Sequence, residues 1–270
     1  MSLLKRFLRR LATQQPSPSR PIPAALEPLS GVSPHYVVGD IHGRVDLLMR
    51  MLEAIEDDRR VRSEMAAAKI VFVGDYVDRG DASRAVLEHL YSLARQNPES
   101  FVFLRGNHET MLFDFLDEPT EHGRHWLKYG GMQTLESFGI RDIHDAASSA
   151  DLQAASKAFG MALDPDLVAW LRDMPTLYDA GGNLRIVHAA LDPDVPPEYT
   201  IEQVRIWGNK QFLQRARDDG LWVAHGHTIV PEVEQRDGRV ALDTGAFATG
   251  RLSAVGFVDR QSWVLAVQSE

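Results

Sequence analysis

The chain has 270 residues of ordinary globular composition, 44% hydrophobic and 25% charged, enough to bury one sizeable core. A formal net charge of -9 disfavours nucleic acid as the main partner, because a polyanion is repelled at long range. The absence of cysteine excludes disulfides and thiolate metal sites, so any metal must be held by His, Asp, Glu or Asn.

Residues 1–34 carry five basic side chains and one acid, against 24 basic and 37 acidic in the remainder, so this tail is a separate electrostatic object. Leu4, Phe7, Leu8 and Leu11 recur at helical spacing with Lys5, Arg6, Arg9 and Arg10 opposite, the pattern of a short basic amphipathic helix. The proline-rich stretch 13–23 reads as an extended linker. Weak contact of residues 1–11 with a membrane surface is one expectation, and docking on the chain's own acidic domain is an equal one. No apolar run approaches a membrane span, and charge interrupts the first apolar residues, unlike a signal-peptide core. The expectation is a cytoplasmic protein whose single domain occupies residues 35–270.

The first apolar run, Tyr36-Val37-Val38, ends in Gly39-Asp40-Ile41-His42-Gly43, and a helix over 45–57 follows with Leu47, Leu48, Met51, Leu52 and Ile55 on one face. A second strand over 69–73 carries the apolar run Ile70-Val71-Phe72-Val73, as for burial on both faces, and runs into Gly74-Asp75-Tyr76-Val77-Asp78-Arg79-Gly80. After a helix over 83–95, a third strand from Phe101 leads to Arg105-Gly106-Asn107-His108-Glu109. Such α/β alternation puts these loops at the carboxyl ends of strands, where ligands bind. One strand-end aspartate would be a turn residue. Three such ends, together holding Asp40, His42, Asp75, Asp78, Asn107 and His108, exceed coincidence. The stretch 110–174 reads as mainly helical and lacks a strand-end carboxylate, so it is expected to cover the site, with Trp126, Gly130 and Gly131 as packing residues. The last third turns to strands at 184–188, 221–225, 232–235, 240–242, 252–259 and 262–267, with hairpin turns at Asp237-Gly238 and 259–261.

In order, GDIHG, GDYVDRG and RGNHE, then WLKYGGMQTLESFG, VHAALDP, HGHT and LDTGA, resemble the phosphoprotein phosphatase branch of the calcineurin-like metallophosphoesterases, nearest its bacterial and phage lambda type. The resemblance runs from Tyr36 to the C-terminus; each motif alone is weak and the ordered set is specific. It implies a four-layer α/β fold, two packed mixed β-sheets flanked by helices. It also implies two divalent metal ions, one held by Asp40, His42 and Asp75, the other by Asp75, Asn107, His188 and His227. Carboxylate, imidazole and amide donors suit Mn first, with Fe or Zn as alternatives, more than Mg alone. Of the two histidines in HGHT the resemblance selects His227 and leaves His225 as a strand-end residue. It implies His108 as the acid that protonates the leaving oxygen, oriented by Asp78, and Arg79 and Arg105 as forks on phosphate oxygens. Salt bridging to nearby acids is the alternative for both arginines. Asn209 stands where relatives carry a phosphate-contacting arginine, with Lys210 beside it as a point charge. His35, His89, His122, His125 and His144 match no ligand position.

The implied activity is hydrolysis of a phosphomonoester by direct attack of a metal-bridging hydroxide, on phosphoserine or phosphothreonine in a phosphoprotein or on a phosphorylated small molecule. A symmetrical dinucleoside tetraphosphatase on the same scaffold is the first alternative. An inactive binding module is the second, disfavoured by the complete ligand set.

Overall fold

Strand β1 (Val32–Val38) sends Tyr36 and Val38 to one face and Val37 to the other, and all three are fully buried, so its sheet must be covered on both sides. The computed structural model, which describes residues 27–269, shows a second sheet on one face and helices on the other. The basic stretch 1–11 and the linker 13–23 lie outside the described residues.

β1 is followed by α1 (Val45–Val61), β2 (Lys69–Phe72), α2 (Ser83–Gln96) and β3 (Phe101–Phe103). These three strands pair in parallel, with Tyr36 opposite Ile70 and Ile70 opposite Phe101. Helix α1 runs on to Val61, past its expected end at 57. Arg59 and Arg60 pair there with Glu56 and Asp57 a turn back, and their charge suits the helix C-terminus. The middle is helical as expected: α3 (Asn107–Asp117), α4 (Pro119–Trp126), a segment kinked at Gly130 (Leu127–Gly131), α5 (Met132–Ser137), α6 (Ser149–Ala162) and α7 (Pro165–Arg172). Then come β4 (Leu177–Asp179), β5 (Leu184–Val187), α8 (Glu202–Trp207), α9 (Lys210–Gln214), β6 (Trp222–His225), β7 (Glu234–Arg236), β8 (Arg239–Ala241), α10 (Ala246–Thr249), β9 (Arg251–Asp259) and β10 (Gln261–Gln268).

The first sheet has the order β10-β9-β1-β2-β3 and the second β4-β5-β6-β8-β7. In the second, β5, β6 and β8 are parallel, while the edge strands β4 and β7 run antiparallel to them. β4 is the strand the sequence does not announce, being three half-exposed or exposed residues too short for a period to register. The hairpin turn between β7 and β8 forms as expected, with φ of 51° at Asp237 and 71° at Gly238.

Between the sheets Val37, Val71, Val255 and Phe257 share a core with Ile186, Ala224, Val240 and Leu242. On the helical side Tyr36, Ile70 and Phe72 cluster with Leu47, Leu48, Met51, Leu87 and Leu90. Beyond the second sheet, Val187 and Val223 pack with Leu191 and Phe212. That is the four-layer α/β arrangement. Leu29 and Val32 join the inter-sheet core, so the folded chain takes in residues ahead of 35. No helix among the described residues is long and apolar enough to cross a membrane.

The layers converge on one end of the molecule. Asp40, Asp75, Asn107, His188, His227 and Asp243 lie just past the carboxyl ends of β1, β2, β3, β5, β6 and β8. Phe72, fully buried and stacked on Phe103 at 5.3 Å, tests the packing beneath them. Phe72→Ala should lower the unfolding free energy by about 3–5 kcal/mol in urea titrations, and a loss under about 1 kcal/mol would contradict a core built on this strand.

A candidate dinuclear metal centre

The loops that end the strands turn sharply. Asp75, Asp78 and Arg79 have φ of 55°, 72° and 70°, and His42 and His227 have 45° and 62°. These are five of the eight non-glycine residues with positive φ among the described residues, a conformation that persists only where the surroundings over-determine it. At Asp75 Glu109 does so. Its buried carboxylate accepts the backbone N–H groups of Asp75 at 2.9 Å, Tyr76 at 2.7 Å and Gly106 at 2.9 Å, tying the loops after β2 and β3 together. Burial and the nearby Asp75 carboxylate push Glu109 up to about 7. In the sequence Glu109 is only the last letter of RGNHE; its place three residues after a glycine N-cap is the signal that could have found it.

Four imidazoles surround Asp75. His42 Nε2 and His108 Nε2 lie 3.5 Å and 3.9 Å from Asp75 Oδ2, and His188 Nε2 lies 3.4 Å from Oδ1. Asn107 Oδ1 is 3.0 Å from His188 Nε2 and 2.9 Å from His227 Nδ1. Two sets of side chains each converge closely enough to hold one cation, His42, Asp75 and His108 in one and Asp75, His188 and His227 in the other. Asp75 belongs to both. The tautomers are set from behind: His42 Nδ1–H donates to the Val77 carbonyl at 2.8 Å and His188 Nδ1–H to the Val73 carbonyl at 3.0 Å, leaving each Nε2 lone pair turned inward. Burial holds the pKa of His188 down and takes that of His227 to about 4, so both are neutral and able to ligate near pH 7. Burial works against charge on Asp75, yet its imidazole neighbours outweigh it and keep the carboxyl well below the ordinary range.

Asp40 accepts the His227 N–H through Oδ2 at 2.9 Å, while its buried Oδ1 has no donor among the described residues. A Cβ at Gly226 would fall 1.9 Å from that oxygen, which is why glycine separates the two histidines of HGHT. Against Asp40 lies Asp243, held by the Gly245 N–H on Oδ1 at 2.8 Å, with Oδ2 also lacking a donor. Burial and the Asp243 and Asp75 carboxylates push Asp40 well above the carboxylate range, and burial pushes Asp243 up to about 6. Carboxylate facing carboxylate in a dry site calls for a cation. Orphaned oxygens, preset imidazole lone pairs and a mixed N/O donor set therefore fit divalent ions of the Mn, Fe or Zn kind. Asp243 is absent from the sequence-based ligand set, although LDTGA repeats the strand-then-aspartate plan after β8.

His108 Nδ1–H donates to Asp78 Oδ2 at 2.6 Å. Burial alone would lower its pKa, but Asp75 and Asp78 outweigh burial and raise it. Arg79 stands among these groups, with Nη1 3.1 Å from His42 Nε2, Nη2 2.9 Å from His108 Nε2, and the guanidinium 4.7 Å from the Phe247 ring centroid. Arg105 is instead ion-paired with Glu202, the alternative weighed for it from sequence. Asn209 is also engaged locally: Oδ1 accepts the Phe212 N–H at 2.7 Å and caps α9, on the wall of a cavity of about 260 Å³ shared with Trp207, Lys210 and His227. His225 ends β6 outside both histidine sets, its ring 5.0 Å from Phe212. Trp126, expected only to pack, donates its indole N–H to Asp78 Oδ2 at 2.8 Å.

The profile of the calcineurin-like phosphoesterase family matches residues 34–231. The chain is 24% identical over 245 residues to the asymmetrical bis(5'-nucleosyl)-tetraphosphatase PrpE of Anoxybacillus flavithermus, covering 84% of this chain and 91% of that protein. It is 30% identical over 191 residues to the symmetrical bis(5'-nucleosyl)-tetraphosphatase of Pseudomonas fluorescens, covering 70% of this chain and 53% of that protein. It is 39% identical over 94 residues to the serine/threonine-protein phosphatase 2B catalytic subunit A2 of Saccharomyces cerevisiae, covering 33% of this chain and 14% of that protein. The matched part is thus about half of the Pseudomonas protein and a small part of the yeast one. A cold-active protein-tyrosine phosphatase of a Shewanella species shares the fold, with a TM-score of 0.55 and 15% identity over 87% of this chain and 81% of that one.

Asp243→Asn would remove one charge and offer Asp40 Oδ1 an N–H donor. Affinity for Mn²⁺ in calorimetric titration should fall about 10- to 100-fold while the metal-free protein melts higher. Unchanged affinity with a lower metal-free melting temperature would contradict a place for Asp243 in the centre.

Proposed function

The chain belongs to the calcineurin-like phosphoesterase family, and from that premise we propose that it is a dinuclear metal-dependent phosphomonoesterase of the bacterial protein phosphatase type, acting on phosphoserine or phosphothreonine. The observation that carries this reading is Asp75, one buried carboxylate shared by two sets of histidines. In this reading Asp40, His42 and Asp75 hold one ion and Asp75, Asn107, His188 and His227 the other, with Mn ahead of Fe or Zn. Bound divalent ions supply charge neutralisation on phosphoryl oxygens and acidify a water towards neutral pH. The remaining tasks fall to side chains. In this reading Arg79, half-buried beside Phe247, turns its two Nη atoms from His42 and His108 to fork onto non-bridging phosphate oxygens. Arg105 reaches phosphate only by leaving Glu202, as Arg79 does only by leaving the two histidines. His108 keeps Nδ1 tied to Asp78, and once Arg79 turns from its Nε2 to phosphate, that nitrogen delivers a proton to the leaving oxygen.

A second reading, a symmetrical dinucleoside tetraphosphatase, has its own support. The Pseudomonas relative bears that name, a relative matched over 91% of its length is named an asymmetrical tetraphosphatase, and Asn209 caps a helix where the protein phosphatase reading wants an arginine.

Initial rates with Mn²⁺ on p-nitrophenyl phosphate, a phosphothreonine peptide and diadenosine tetraphosphate separate the two. The first reading expects the peptide to be preferred over the dinucleotide and all activity to vanish after chelation; preference for the dinucleotide establishes the second. His108→Asn should keep its metal and lose about 10²- to 10⁴-fold in turnover of the phosphopeptide, whereas Asp75→Asn should lose metal from both positions in elemental analysis. The reverse pattern would overturn the assignment of roles.

A further inference from the structure

We propose that Trp126 and Thr134 are positioning residues that clamp Asp78 and through it aim His108; this rests on the reading of His108 as the proton donor. The Asp78 carboxylate is fully buried and both of its oxygens are engaged. Oδ2 accepts His108 Nδ1–H at 2.6 Å and Trp126 Nε1–H at 2.8 Å, and Oδ1 accepts the Thr134 hydroxyl at 2.6 Å. The Thr134 oxygen in turn accepts the Asp78 backbone N–H at 2.9 Å, so one threonine grips both ends of the same residue. The two clamping donors are neutral. They fix the direction of the carboxylate without neutralising it, which leaves its charge to act on the imidazole.

The chain path serves this contact. In a straight helix the eight positions from Trp126 to Thr134 rise about 12 Å, too far for both side chains to meet one carboxylate. A kink at Gly130 removes that distance: Gly130 adopts φ 116° and ψ 4°, and its carbonyl accepts the backbone N–H of Arg79 at 3.3 Å, next to Asp78. A Cβ at Gly130 would lie 2.5 Å from the Arg79 nitrogen, and one at Gly131 would lie 2.5 Å from the Trp126 ring. The indole is then locked between Phe115 and Phe159, at centroid distances of 4.7 Å and 5.9 Å. The stretch WLKYGGMQT thus reads as one device: a donor, a tight break and a second donor.

Trp126→Phe keeps a ring and loses the N–H; Thr134→Val keeps the shape and loses the hydroxyl. The leaving group supplies the readout, because a serine alkoxide must be protonated to depart and p-nitrophenolate need not be. Each variant should slow kcat on a phosphoserine peptide at least about tenfold and on p-nitrophenyl phosphate less than about threefold, with metal content unchanged. Thr134→Ser should restore the peptide rate, which covers the case in which Trp126→Phe does not fold. His108→Asn, assayed alongside, should show the same discrimination at larger size, and adding Trp126→Phe to it should change nothing further. If His108→Asn slows both substrates equally, the proton-donor reading fails and the clamp falls with it. If His108→Asn discriminates but Trp126→Phe and Thr134→Val do not, the clamp alone is overturned.

Discussion

A negative charge kept dry organises this protein. Asp75 is 2% exposed at the end of a strand whose neighbours Phe72 and Val73 are fully buried, so water cannot solvate it and the fold must supply partners. Those partners come from loops after β1, β3, β5 and β6, which can reach one point only because the parallel strands of both sheets end there. Glu109 ties the loops after β2 and β3 together through backbone N–H groups. Positive φ at five site residues costs about 1–3 kcal/mol each, and domains are stable by only about 5–15 kcal/mol in total. Strain on that scale survives because the same contacts return it, and metal binding in such a site is also folding energy.

The sheets and the helical middle divide the work. Strand ends provide the candidate ligands, whose positions relative to one another must be rigid. The helical stretch provides the hydrogen bonds that orient Asp78. The two roles meet at Asn107 and His108, the first residues of α3. Neighbours on a helix point about 100° apart. One therefore turns to His188 and His227 and the other to Asp78 and His42. Adjacent residues thus face different sets of partners.

Much of this is legible in the sequence where the signal is local. Asp40 and Asp75 stand out because strand, glycine and carboxylate lie within a few residues. His188 and His227 carry no such pattern and are found only through the ordered set of motifs. Asp243 follows the same plan and is missed because a single aspartate after a strand usually means a turn. Glu109 and Trp126 are missed for another reason: a glutamate bonded to backbone N–H looks from the sequence like any surface acid, and an indole donor 48 residues from its acceptor looks like core. Arg105 and Asn209 show the converse, since residue types suited to phosphate are engaged by an acid 97 residues away and by a helix end.

Low-temperature EPR of the metal-free protein titrated with Mn²⁺ asks most directly whether Asp75 joins two ions. An exchange-coupled spectrum that completes at two equivalents per chain is expected. An isolated mononuclear spectrum that saturates at one equivalent would contradict a shared carboxylate at the centre of the site.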